Sequence, residues 1–86
     1  MYVYEKQREE IFTDEGQRMF LKIRAHVFNA LEFAGAVRMN EAISTCTGDS
    51  WRMLACVDRM VELGEIREIS QTVRHAGQHR IFVKCE

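Results

Sequence analysis

Residues 50–66 constrain the fold most: they form an amphipathic helix that stops at Leu63-Gly64-Glu65-Ile66 and turns directly into a strand. At about 100° per residue, Met53, Leu54, Val57, Met60 and Val61 fall on one arc of roughly 120°. Arg52, Ala55, Asp58, Arg59 and Glu62 fall on the opposite arc, and Trp51 lies in the middle of it. Folding alone would place a large aromatic side chain inside. A tryptophan among charges at the start of a helix therefore predicts contact with something outside the chain.

The 86 residues suffice for one small domain, with a stability on the order of 5 kcal/mol. A hydrophobic content of 47% with 29% charged residues is ordinary globular composition. No run approaches the length of a membrane span and the first residues lack the apolar stretch of a secretory signal, so a soluble, cytoplasmic protein is expected. Cys46, Cys56 and Cys85 are odd in number and lack a CxxC spacing, which points to reduced thiols rather than a disulfide framework. The net charge of −1 argues against a nonspecific nucleic-acid coat protein but leaves room for local basic surface. Residues 70–84 are the lopsided segment: they hold Arg74, His75, His79, Arg80 and Lys84 and no acidic residue.

Along the chain, residues 1–13 form an N-terminal arm and residues 14–86 the domain proper. Tyr2 and Tyr4 alternate like a short strand, a charged run follows, and Ile11-Phe12 reads as an apolar anchor. Thr13 or Asp14 caps a helix over residues 15–34 that buries Met19, Phe20, Ile23, Val27, Ala30, Leu31 and Ala34, with Gly35 as its stop. Leu21 and Phe28 fall off that arc and make a second narrow apolar strip. Either Ile11, Phe12 and the tyrosines fold back over it, or a second subunit does, so Tyr2, Tyr4, Ile11, Phe12, Leu21 and Phe28 are the candidate interface residues. A short strand follows over residues 36–39, then a short helix over residues 40–46 capped by Asn40, a turn at Thr47-Gly48-Asp49, and the helix from Ser50 capped by Asp49 or by Ser50 itself. Residues 65–69 and 80–84 read as strands joined by a polar loop around Gly77.

The order helix, short strand, short helix, turn, helix, strand, loop, strand resembles the winged helix-turn-helix family of DNA-binding domains. The resemblance is carried by residues 35–43, the helix from Ser50, the Leu63-Gly64-Glu65-Ile66 exit and the terminal hairpin, and covers roughly residues 15–84. It implies an α+β fold of three helices and a small antiparallel sheet. It also implies duplex DNA binding by a small transcriptional regulator or accessory factor, with the helix over residues 50–63 in the major groove and a wing over residues 70–80 on the backbone. Carried over residue by residue, the helix would present Ser50, Trp51, Arg52, Ala55 and Arg59, and the wing Arg74, His75, Gln78, His79 and Arg80. Arg52 and Arg59 would bridge a guanine edge or hold a phosphate, and Ser50 with the free amides of the first turn would bind phosphate; the alternative for the two arginines is a surface pair with neighbours such as Asp49 and Glu62. Asp58, Glu62, Glu65 and Glu68 place negative charge near that face and predict weak nonspecific affinity.

Other chemistries find less support in the residues. His75 and His79 have an H-x3-H spacing, but no cysteine lies close to them except Cys85, and no metal or other cofactor is expected. There is no Gly-rich phosphate loop, nucleophile elbow or HExxH, and the carboxylates are scattered, so no enzyme is expected. The alternative is a protein-interaction module of the same fold, anchored by Trp51, Leu21 and Phe28, either as a homodimer or with another protein.

Overall fold

The structure, a computed structural model, describes residues 1–69 and 80–85. In chain order it contains α1 (Tyr4–Gln7), a 3-10 turn (Arg8–Phe12), α2 (Asp14–Ala34), β1 (Val37–Arg38), α3 (Met39–Ala42), α4 (Ser50–Glu62), β2 (Ile66–Glu68) and β3 (Ile81–Lys84). Among the described residues the fold is α+β, and its strands form one antiparallel sheet in the order β1-β3-β2. No helix among them is long and apolar enough to cross a membrane.

The long helices begin and end where the local chemistry requires. Thr13 sits in extended backbone and its hydroxyl accepts the Gly16 amide at 3.0 Å, which caps α2. Gly35, at φ 80°, closes α2 with its amide on the Leu31 carbonyl at 2.9 Å, a left-handed turn that glycine makes without Cβ strain. Asp49 caps α4 by accepting from the amides of Trp51 and Arg52 at 3.0 and 3.3 Å. The short helix α3 differs from the expected residues 40–46, spanning Met39–Ala42. It starts at Met39, with Arg38 rather than Asn40 at the cap position, because the Met39 amide donates to the Arg80 carbonyl at 2.8 Å and carries strand pairing up to the first helical residue.

Phe20, Ile23, Val27 and Leu31 of α2 meet Met53, Cys56, Val57 and Met60 of α4 in one core. Val37 pairs with Phe82, and Ile66 lies on the same row of the sheet, so these three side chains close the core from below. The other row of the sheet points away from it: Arg38 opposite Ile81, and Arg67 opposite Val83.

The N-terminal arm does not follow the strand pattern of its tyrosines. It forms α1 and the 3-10 turn, and these lie along α4, not over Leu21 and Phe28. Ile11 is the anchor, with 0% of its surface exposed. Gly16 lets the arm come this close, since a Cβ there would sit 2.0 Å from the Glu10 carbonyl oxygen. The buried side of α4 is therefore wider than its apolar arc. Ala55 and Cys56 are both sealed, while Leu54 and Val61 are only partly covered.

Candidate nucleic-acid interface

The side of α4 expected to face DNA is occupied by the arm. Ala55, expected to be presented, has 0% exposure on an α4 that the arm packs against. The Arg52 guanidinium donates to Glu10 at 2.9 Å and also to Glu15, so it is held between the arm and the start of α2. Arg59 donates to Glu62 at 2.9 Å and lies 5.1 Å from the centre of the Phe12 ring, which Arg8 flanks at 5.1 Å as well. Arg80, placed on the expected wing, turns inward to Asp58 at 2.7 Å and Glu68 at 2.8 Å. Ser50 and Trp51 do remain on the surface, the indole 41% exposed. Arg74, His75, Gln78 and His79 lie outside the described residues.

The arm is joined to α4 by two phenols. Tyr2 donates to Asp58 and Tyr4 to Glu62, each at 2.6 Å. Burial, then the hydrogen bond to a carboxylate, raises both tyrosines above their ordinary value: Tyr4 is pushed up to about 12 and Tyr2 further. Glu62 is drawn down to about 2 by the hydrogen bonds it accepts from Tyr4, Arg8 and Arg59. Sequence reasoning counted Asp58 and Glu62 as repulsion toward phosphate, and Glu62 also as a neighbour that the α4 arginines could pair with, as Arg59 does; their tyrosine partners were not foreseen. Their partners lie 56 and 58 residues away, and no spacing rule links them.

With α4 covered, the cations of the described surface lie elsewhere. Arg38 and Arg67 are exposed on the outer row of the sheet, and neither forms an ion pair among the described residues. Strand spacing and register set their Cα atoms ~12 Å apart, across Ile81 and Val83. Arg18 and Lys22 border a cleft between α2 and the Thr47–Asp49 turn, together with Glu15, Asp49 and Arg52. That cleft mixes both signs of charge, whereas the outer row of the sheet carries only one.

Of the candidate interface residues, Tyr2, Tyr4 and Ile11 are engaged within the chain, and Phe12 is half-covered by its two arginines. Leu21 stays 60% exposed, and Phe28 is half-buried under the Arg24 guanidinium, which lies 4.7 Å from the ring centre and pairs with Glu65 at 2.8 Å. Phe33, absent from the sequence-based expectations, is 97% exposed at the end of α2. It lies off the helix's core arc, a signal already present in the sequence. His26 is half-buried on α2, one ring nitrogen donating to the Glu41 carbonyl at 3.0 Å. The cysteines are free thiols, and burial pushes Cys56 up to about 12. The chain matches no protein-family model, no curated protein and no solved structure.

Proposed function

We propose that the chain is a winged helix-turn-helix domain that holds duplex DNA through the outer row of its sheet and the adjoining wing, with α4 as the scaffold rather than the reading element. The element order and the β1-β3-β2 sheet are compatible with that fold. One observation carries the reading, the distribution of unpaired positive charge. A cation that already holds a carboxylate must give it up before it can bind phosphate. The arginines of α4 hold Glu10, Glu15 and Glu62, while Arg38 and Arg67 are free of ion pairs among the described residues. The segment joining β2 to β3 adds Arg74, His75 and His79 and no acidic residue. Backbone contacts of this kind release counterions and position a duplex, but they carry little sequence information. Sequence preference should accordingly be shallow.

Fluorescence anisotropy of a labelled duplex, repeated over a series of salt concentrations, tests this. Arg38→Ala and Arg67→Ala are each expected to flatten the slope of log K against log salt by about one unit. Arg52→Ala is expected to leave the slope unchanged. The opposite ranking would return the contact to α4.

A second reading, a protein-interaction module without DNA binding, is favoured by the outward Phe33 and Leu21 on α2. Wild-type protein that gives no salt-dependent anisotropy would establish it over the first.

A further inference from the structure

The solvent side of α2 has an organisation that neither the core nor the arm uses. Arg18, Leu21, Ala25, Asn29 and Glu32 are all exposed on it in steps of three and four residues, with the exposed Phe33 beside Glu32. Phe28 adds a half-covered ring along one edge. Shallow clefts flank its C-terminal end, one bordered by Asn29, Glu32 and Phe33, the other by Phe28, Leu31, Glu32 and Lys84.

We infer that this face pairs antiparallel with the same face of a second copy of the chain. The face is self-complementary. Ala25, Phe28, Asn29 and Glu32 stand at i, i+3, i+4 and i+7, the four corners of a hole that accepts a side chain from a neighbouring helix. An antiparallel twofold close to Ala25 brings Leu21 of the second copy level with that hole, and by symmetry its own Leu21 enters the hole opposite. Ala25 then lies at the crossing, where a small side chain lets two helices approach to the usual 8–10 Å. The same twofold sets Arg18 of the second copy beside Glu32 and Phe33, whereas parallel pairing would set Arg18 against Arg18. Charge and shape therefore choose the same orientation. One helix from each copy buries on the order of 1,000 Å² in total, the low end of specific interfaces, so a weak, reversible dimer is the expected form.

Sedimentation equilibrium of the full chain from micromolar to near-millimolar concentration tests the pairing. Wild-type protein is expected to show a concentration-dependent monomer–dimer equilibrium. Leu21→Glu and, separately, Ala25→Glu are expected to weaken it at least tenfold while thermal melts stay where they were, because both positions are already exposed. Arg18→Glu is expected to weaken the dimer, and Glu32→Arg in the same chain to restore it. A wild-type protein that stays monomeric overturns the inference. So does a dimer indifferent to Leu21→Glu and Ala25→Glu, or a charge reversal that the second reversal fails to rescue. Each of these outcomes is independent of DNA binding, which rests on a different face.

Discussion

The phenols of Tyr2 and Tyr4 are the only ones in the chain, and both join the arm to carboxylates on α4. Phenolate absorbance therefore reports on the arm alone. In the unfolded chain a tyrosine ionises near 10. In the folded chain burial, with the hydrogen bonds to Asp58 and Glu62, holds both above that value, Tyr4 at about 12. A raised folded value means stability that is whole below the unfolded value and is lost as pH climbs past it. Alkaline titration should thus show little phenolate until the protein begins to unfold, and Asp58→Asn should bring one of the two tyrosines down. Titration of both near pH 10 in folded protein would mean that the arm is undocked. Glu62 has the opposite sign. Its folded value is depressed to about 2, so its contribution is in place above the ordinary glutamate range and fades as pH falls toward 2. Glu62→Gln should flatten the fall in melting temperature between pH ~5 and ~2.5, and an unchanged pH profile would deny the carboxylate its role.

At the scale of elements, the sequence disclosed what depends on neighbours in the chain. The caps were legible to within one residue, Thr13 or Asp14 and Asp49 or Ser50, of which the structure uses Thr13 and Asp49, and Gly35 was legible as a stop, because those signals act within four residues. The apolar arcs of α2 and α4 were legible for the same reason. The direction taken by the arm was not, since a 3-10 turn with a single buried anchor has no period to read. Expecting the arm over Leu21 and Phe28, and not along α4, displaced the candidate site. With α4 left uncovered, Ala55 and Arg52 pointed to solvent; with the arm in place, one is sealed and the other is held by two glutamates. Ile11 decides the matter energetically. Its side chain is fully enclosed, so Ile11→Ala should cost about 2–4 kcal/mol in denaturant melts. Leu21→Ala, on the open side of α2, should stay within about 0.5 kcal/mol. Near-equal costs at the two positions would mean that the arm contributes little to the core.

Over the whole molecule, stability is unevenly spread. Val27 of α2 and Val57 of α4 are fully enclosed, whereas α1 buries none of its residues. Local opening should begin at α1, so the amides of Lys6 and Gln7, held by the Val3 carbonyl at 3.1 and 3.3 Å, should exchange early and those of Val27 and Val57 last. Such opening does not convert α4 into a cationic surface. It releases Asp58 and Glu62 from their tyrosines, while Arg52 stays on Glu10 and Glu15 behind the buried Ile11. An opened α1 would therefore still offer phosphate no free cation on α4, with Asp58 on Arg80 and Glu62 on Arg59. This fixes the expected pattern of protection when duplex DNA is added. Amides around Arg38 and Arg67 should slow, since phosphate held there ties β1 and β2 together through β3. Those of α1 should keep their free rates. Slowed exchange along α4 with faster exchange in the arm would show that the duplex has displaced the arm, and the sheet would lose its place as the contact surface.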